Sequence, residues 1–543
     1  MTVAPGAPGD DRGLRSSLGK EGMMRPLDAG AGGGPMVRLP SLLWRDAEHR
    51  ITGQANPALI SDLNLDRIFA EITASDSSET VDRLLRAPLL HSEDVEYRRE
   101  VFADLSSPTL RAQLEAFSQS ITSIRRHLLE LATVSHSTLR CRLRLDVLHS
   151  YCQTVLSLHQ GLNGIVLESR GLASWRDYLN AYVTRAAFTG LVSGCEAALA
   201  DFGEIRYSMR FDDHRIVVVK ASGAPDYAAT VEGLFQPFTH GWAPAAQDSV
   251  PWSASVHPVE ELVLDELVRL FPLPFHRMME HSNSYSDFMD PVIDRVGSEL
   301  QFYFSYLRLV DKLSAHGMEF CLPEVTDSFD GIRVHGAYDL ALALKCIGQG
   351  EVPVTNDYHL AGNERIIVVT GPNQGGKTTF ARTFGQVAYL ATLGCPVPAN
   401  RARMMLTDGV FSHFERREQA SDAAGKLQSE LTAIKETLDH STERTIIILN
   451  ESFSSTTTVD ALYIGRQVLQ KISERKSIAV FVTFLDELSG LDGVVSMVAG
   501  IGGDATLRTF RLERKPADGR AYAMALADQF DLSYDAIVGR VAR

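Results

Sequence analysis

Two hydrophobic periodicities divide the chain. From Leu42 to about Ala315, leucines recur at three- and four-residue spacing among charged positions, as at Leu84, Leu85, Leu89 and Leu90 and again at Leu128, Leu129 and Leu131. Side chains three and four apart share one face of a helix, so the pattern predicts a mostly helical region. One stretch departs from it. Residues 205–211 and 215–219 are β-prone runs on either side of Asp212-Asp213-His214, which predicts a small β-hairpin inserted near 205–219 at a helix tip. A loop is expected at 243–251, then helices at 259–270 and 287–316, the second long enough to act as a lever. After Pro323 the pattern changes to short β-branched runs separated by helix-length segments. Strands are expected at 352–356, 364–370, 445–449, 478–483 and 494–499, with an edge strand at 507–512. That alternation is the signature of an α/β sheet.

The predicted organisation is therefore α followed by α/β. Residues 1–40, with Gly30, Gly32, Gly33, Gly34 and several prolines, read as a disordered leader. Residues 41–322 form the helical region and 323–543 the sheet domain. No repeat of 20–50 residues is evident.

Composition narrows the function classes. With 45% hydrophobic residues the 543-residue chain can bury sizeable cores. The six cysteines, Cys141, Cys152, Cys195, Cys321, Cys346 and Cys395, form no C-x-x-C pair, so neither a disulfide framework nor zinc is indicated. No signal peptide and no run of about 18 apolar residues is present, which predicts a cytoplasmic protein with no membrane partner. The formal net charge is −15, from 53 basic and 68 acidic residues. Residues 351–543 carry 21 basic and 23 acidic side chains, so the first 350 carry 32 and 45. An acidic helical half argues against tight, non-specific binding of a polyanion, although a local basic path could still contact DNA.

The chemistry begins at residues 370–379, Thr-Gly-Pro-Asn-Gln-Gly-Gly-Lys-Thr-Thr, which satisfy Gly-x4-Gly-Lys-Ser/Thr. The run Ile366-Ile367-Val368-Val369 precedes them and the proline-free segment 380–393 follows, giving strand, loop and helix. Gly371, Gly375 and Gly376 allow backbone N–H groups to turn around phosphate oxygens at the positive end of the following helix. Pro372, Asn373, Gln374 and Thr379 complete the cradle. Lys377 would reach the β- and γ-phosphates of ATP, and the Thr378 hydroxyl would ligate Mg²⁺. Such a loop works with a second strand ending in acid, here Leu449-Asn450-Glu451. Glu451 is placed to polarise an attacking water, so Glu451 and Lys377 are the expected catalytic residues. Asn450 stands where a magnesium-associated aspartate is expected. A neutral amide can hydrogen-bond a metal-bound water but adds no charge, so Mg²⁺ affinity should fall.

Directly afterwards comes Ser452-Phe453-Ser454-Ser455-Thr456-Thr457-Thr458-Val459-Asp460-Ala461, a hydroxyl-rich turn into a helix. The loop, the acidic strand end and this turn together resemble the ATPase domain of the MutS mismatch-repair family, within the ABC-like ATPases. Val354-Thr355-Asn356-Asp357 is similar to the family's adenine-side segment, and residues 394–399 to its post-helix turn. Asp518-Gly519 with residues 521–525 resembles its closing helix, while residues 63–66, 84–89 and 97–101 resemble its core domain. The resemblance implies a homodimer with composite nucleotide sites, ATP and Mg²⁺ as ligands, and action on DNA in repair or recombination.

Departures qualify that picture. The family's Gly-x-Ser-Thr-Phe signature stands here as residues 425–431, Gly-Lys-Leu-Gln-Ser-Glu-Leu, without the Ser-Thr pair, leaving Lys426 to substitute electrostatically. Its Thr-His switch is Thr483-Phe484. A mismatch-reading domain needs about a hundred residues ahead of the core, whereas ordered sequence is expected to begin near residue 41. Phe69-Ala70-Glu71 and Phe202-Gly203-Glu204 are read as structural rather than as wedges. The charged cluster His413, Glu415, Arg416, Arg417 and Glu418 reads as a solvated face, and His257, His276 and His281 lack metal spacing. The expected function is a slow ATPase; the alternative is a non-hydrolysing, nucleotide-gated scaffold for a protein partner. A third reading, carried over from relatives without the mismatch domain, is binding of branched DNA.

Overall fold

The computed structural model describes residues 40–45, 55–74, 79–212, 215–221, 258–414, 425–501, 508–517 and 537–538. Helices α1 (Pro57–Asp62), α2 (Leu65–Thr73), α3 (Glu79–Leu85) and α4 (Ser92–Asp104) open the helical region. The longer α5 (Pro108–Leu131) and α6 (Ser137–Leu162) follow, then α7 (Arg170–Val183) and α8 (Ala186–Gly203). The hairpin is β1 (Tyr207–Asp212) against β2 (Arg215–Lys220), antiparallel, with Tyr207 opposite Lys220. After it come α9 (Pro258–Leu270), α10 (Pro272–Ser284) and α11 (Pro291–Ser314). The last begins later than residue 287 because Asp290 caps it: its Oδ1 accepts from Val292 N–H at 2.9 Å and Ile293 N–H at 3.1 Å, with Pro291 at the first helical position. The leader, the loop at 243–251, the segment 518–525 and residues 415–418 lie outside the described residues, apart from Pro40.

Residues 40–44 are an irregular strap clamped onto α4 and α11. Glu299 accepts from Ser41 Oγ at 2.8 Å and from the Leu42 N–H at 2.6 Å; Tyr97 donates to the Ser41 carbonyl at 2.7 Å, and Tyr303 to that of Leu42. Burial pushes the Glu299 carboxyl above its ordinary range while these two donors pull it down. Arg98 is fully buried, its Nε donating to Leu43 O at 3.1 Å and its guanidinium lying 4.5 Å from the Trp44 ring centre. Burial draws its pKa below the usual arginine range.

The sheet domain holds two sheets. Strands β3 (Glu324–Thr326), β4 (Ile332–Ala337), β5 (Asn356–Leu360) and β7 (Arg401–Met405) form one in the order β3-β7-β4-β5. Helix α12 (Leu340–Ile347) connects β4 to β5. The main sheet contains β6 (Ile366–Thr370), β8 (Gly409–Phe414), β9 (Thr445–Asn450), β10 (Ile478–Val482), β11 (Val494–Ile501) and β12 (Arg508–Arg514), in the order β12-β11-β6-β10-β9-β8. All its pairings are parallel except that of β12. The strand expected at 352–356 is displaced to 356–360. Pro353 has no N–H to give a ladder, Val352 and Val354 are exposed, and pairing with β4 begins only at Asn356. Neither β7 nor β8 stood out in the sequence.

Both faces of the main sheet are apolar and carry separate helices, as parallel sheets require. Ile366, Val368, Ile447, Leu449 and Phe481 face α14 (Lys426–His440) and α15 (Thr458–Arg475). Ile367, Val369, Ile446, Ile448, Val480 and Val482 belong to the larger core with α13 (Lys377–Thr392). Helix α13 is buried almost throughout, because its other side meets the helical region. Gln386 donates to Leu63 O and to Asp339 Oδ1, both at 2.9 Å, and accepts from Leu340 N–H at 2.8 Å. Arg382 donates to Asp62 O and Tyr389 to Leu85 O, each at 2.9 Å. A Cβ at Gly385 would stand 2.6 Å from Leu63 Cδ2 and 2.7 Å from Ile448 Cδ1, so the helix fits only without a side chain there. By their contacts the described residues belong to one unit. Among them no helix is long and apolar enough to cross a membrane.

Gln386→Ala would strip partners from several fully buried polar groups, so it should destabilise the fold by about 3 kcal/mol, against under about 0.5 kcal/mol for Gln470→Ala at an exposed helix position. Urea unfolding of the two variants measures the difference.

Candidate functional site

The glycine-rich loop lies between β6, buried along its length, and α13. Gly371 (φ 111°), Gln374 (φ 61°) and Gly376 (φ 93°) take the left-handed region, which bends the chain sharply from strand into helix. Gly376 is the N-cap of α13, and so the helix begins at Lys377 rather than at 380. Close packing also requires the glycines. A Cβ on Gly375 would lie 2.9 Å from that of Ala499 and 3.0 Å from Pro372 O, and one on Gly371 3.0 Å from Ala499 N. β11 thus forms the wall against which the loop is pressed.

Lys377 is buried and folds back into the loop. Its Nζ donates to Gly371 O at 2.9 Å and Pro372 O at 3.0 Å, with Asn373 Oδ1 at 3.5 Å. Burial draws its pKa below the ordinary lysine range; the Glu451 charge opposes this, Arg508 adds to it, and Asp486 opposes it further. Glu451, Arg508 and Asp486 thus act electrostatically on the Lys377 ammonium. Thr378, half-buried, opens the first turn of α13 beside Thr379.

Asn450 ends β9, opposite Val482 of β10 and Phe414 of β8. Its side chain is 6% exposed and its Oδ1 has no partner within the protein. The hydroxyls of Thr370, Ser452 and Ser496 are likewise buried without partners. Buried orphans of this kind are satisfied by water, an ion or a ligand. The next residue, Glu451, has φ 54° and donates its N–H to Val482 O at 2.9 Å. Phe453, at φ 67°, donates its N–H to Glu430 Oε2 at 3.1 Å. Thr457 then caps α15, accepting from Asp460 N–H at 3.2 Å and donating to Asp460 Oδ2 at 2.8 Å. An inward-turning loop with one ammonium, a helix N-terminus, a nearby carboxylate and an orphaned amide oxygen fit a polyphosphate with a hydrated divalent cation.

The other predicted positions fall around this centre or away from it. Thr483 is buried and donates its N–H to Val369 O at 3.0 Å, while the Phe484 ring is 53% exposed. Asn356 ties β5 to β12, donating to Phe510 O at 3.2 Å and accepting from Leu512 N–H at 2.7 Å. Phe69 lies wholly in the core, and Phe202 packs on Phe275 at 5.1 Å between ring centres. His276 pairs with Glu280, and His281 contacts Cys195 Sγ at 3.4 Å. Among the described residues no cluster of three metal-ligating side chains occurs, and all six cysteines are free. Sequence reasoning missed Arg508, Asp486, Glu430 and Phe510. None belongs to the strand–loop–helix signal; the left-handed φ of Phe510 and the burial of Glu430 are visible only in three dimensions.

Residues 367–513 match the family model described as MutS domain V, from within β6 to within β12. Several curated proteins named DNA mismatch repair protein MutS are similar to the chain. That of Sorangium cellulosum is 28% identical over 283 residues, 49% of this chain and 30% of the relative. The Ehrlichia ruminantium protein is 35% identical over 140 residues, 26% and 17% respectively. The Brevibacillus brevis protein is 26% identical over 206 residues, 37% and 24%. The chain thus spans under a third of the length of these relatives. Together the matches show that residues 367–513 are similar to MutS domain V and that part of the chain is similar to MutS proteins.

At the loop, Gly376→Ala imposes a left-handed φ on a side-chain-bearing residue and should cost about 1–3 kcal/mol, whereas Gly490→Ala, with open space and no such φ, should be near neutral. Denaturation midpoints of the two variants test this.

Proposed function

We propose that this MutS-type chain binds ATP with Mg²⁺ at the loop of Gly371, Pro372, Asn373, Gln374, Gly375, Gly376, Lys377, Thr378 and Thr379, and hydrolyses it slowly. The observation that carries the reading is the folded-back Lys377 inside a left-handed glycine loop. On ATP binding, Lys377 exchanges its two carbonyl partners for phosphate oxygens, an exchange favoured because a charge-assisted bond to an anion is stronger than one to a neutral carbonyl. The Thr378 hydroxyl and the orphaned Asn450 Oδ1 hold the hydrated cation. Mg²⁺, when bound, offsets charge on the phosphate oxygens. Glu451 accepts a hydrogen bond from the attacking water and aligns it with the γ-phosphorus, and Lys377 stabilises the charge that develops. Asn450 contributes no formal charge, and Phe484 has no hydrogen-bonding group at its ring, so turnover is slow.

Dimerisation through composite sites is part of the same proposal. It draws support from the exposed apolar side chains beside the hydroxyl turn, Val459 at 77% and Tyr463 at 66%. Action on DNA in repair draws support from the relatives' names, against the acidic helical half; recombination is carried only by the family resemblance. The absent Ser-Thr pair and the exposed Phe484 favour the second reading, a scaffold that binds ATP without useful hydrolysis and presents this surface to a protein partner.

ATP binding by the full chain should be lost in Lys377→Ala and kept in Glu451→Gln, with wild-type turnover below about 1 s⁻¹, the lower edge of ordinary enzyme rates. Equilibrium binding and a phosphate-release assay read these outcomes; vigorous turnover overturns the slow-ATPase reading, and Glu451→Gln with unchanged function in cells favours the scaffold. The lowered Lys377 pKa adds a pH dependence. Bound phosphate favours the charged ammonium, so affinity is full below that lowered pKa and falls as pH rises through it. A Kd unchanged across the alkaline range would exclude a phosphate contact at Lys377.

A further inference from the structure

Helix α14 places Glu430, Ile434 and Leu438 at four-residue spacing, so the three share one face. Ile434 and Leu438 lie in the apolar cluster with Ile447, Leu449, Phe453 and Phe481. Glu430 takes the remaining buried position, 5% exposed, where packing alone would favour leucine. A carboxylate there is costly unless a donor meets it. The donor is the Phe453 N–H, 3.1 Å from Oε2.

That N–H belongs to an unusual turn. Glu451 and Phe453 both carry side chains in the left-handed region, at φ 54° and 67°. Such backbone persists only where its surroundings over-determine it. Two hydrogen bonds do so. Glu451 N–H is fixed to the sheet through Val482 O, and Phe453 N–H to α14 through Glu430. The α14 end of this link is exposed: a Cβ on its N-cap, Gly425, would meet no atom of the described residues within 4 Å. One anchor of the Glu451 turn is therefore the rigid sheet, and the other is a helix with an exposed N-cap.

We propose that Glu430 is a positioning residue that transmits the placement of the first turns of α14 to the Glu451 carboxylate through the Phe453 N–H. It touches neither nucleotide nor water itself. The inference rests on the ATPase reading above.

The test compares Glu430→Ala, which removes the acceptor, with Glu430→Gln, whose amide oxygen can keep it, in the full chain with ATP and Mg²⁺. Glu430→Ala should lower kcat by about 10- to 100-fold, the scale of an ångström-level misplacement. ATP Kd should stay within about threefold, because the loss falls on the transition state rather than on binding. Glu430→Gln should recover most of the rate. Amide exchange at residues 450–457 should quicken in Glu430→Ala while that at 477–482 does not. An Ala variant with wild-type kcat and exchange overturns the inference alone, the wild type still turning over. So does a joint loss of rate, ATP affinity and thermal midpoint in both variants, which marks a merely structural acid. A wild-type chain that neither binds nor hydrolyses ATP overturns the function proposed above and this inference with it.

Discussion

The rest of the structure depends on the double burial of α13. A helix on a parallel sheet ordinarily buries one side and shows water the other. Here the second side meets backbone carbonyls at Asp62, Leu63 and Leu85 through Arg382, Gln386 and Tyr389. Those carbonyls lie at the ends of α1 and α3, where helix geometry leaves C=O groups without partners. Side chains from α13 supply the missing donors. The contact therefore satisfies polar groups that both parts would otherwise leave unpaired, and it joins the glycine loop to the helical region through a single element.

The same helix begins at Gly376, so the loop is fixed at one end by α13 and along one side by Ala499 of β11. Rigid surroundings of this kind hold the loop in its bent form, with Gly375 N–H donating to Pro372 O at 3.2 Å. The charges of Glu451 and Asp486 favour the Lys377 ammonium and that of Arg508 opposes it. Asn450 in place of an acid reduces negative charge at the strand end and leaves an uncharged acceptor buried there. Binding of a polyanion benefits from that change, whereas holding a divalent cation loses by it. On the proposed ATPase reading, such a site would favour retaining nucleotide over processing it.

Much of the main sheet could be read in advance because its strands are buried on both faces and form continuous β-branched runs, as at Ile366 to Val369 and Ile446 to Ile448. Strands without such a run, half-exposed or carrying polar and charged side chains, were less legible. The β5 run was misplaced because Val352 and Val354 look strand-like but lie outside the ladder. β7, with arginines at both 401 and 403, is defined by its neighbours β3 and β4 rather than by its own pattern. In the candidate site, the residues joined by short-range spacing were legible. Glu430, Asp486 and Arg508 approach from separate elements; the four-residue spacing of Glu430 with Ile434 and Leu438 places it on the apolar face of α14, but nothing local shows which backbone group it meets.

By itself the sequence determined the glycine loop, its flanking strand and helix, and the identities Lys377, Asn450 and Glu451, because these depend on the local conformational freedom of glycine and on side-chain chemistry at fixed spacing. Tertiary structure alone decided that α13 would be shared between sheet and helices, that β11 would wall the loop, and that a buried carboxylate from α14 would meet the turn after Glu451. Each of these is a contact between segments distant in the chain. Its energy comes from burial and from pairing polar groups that neither segment could satisfy alone.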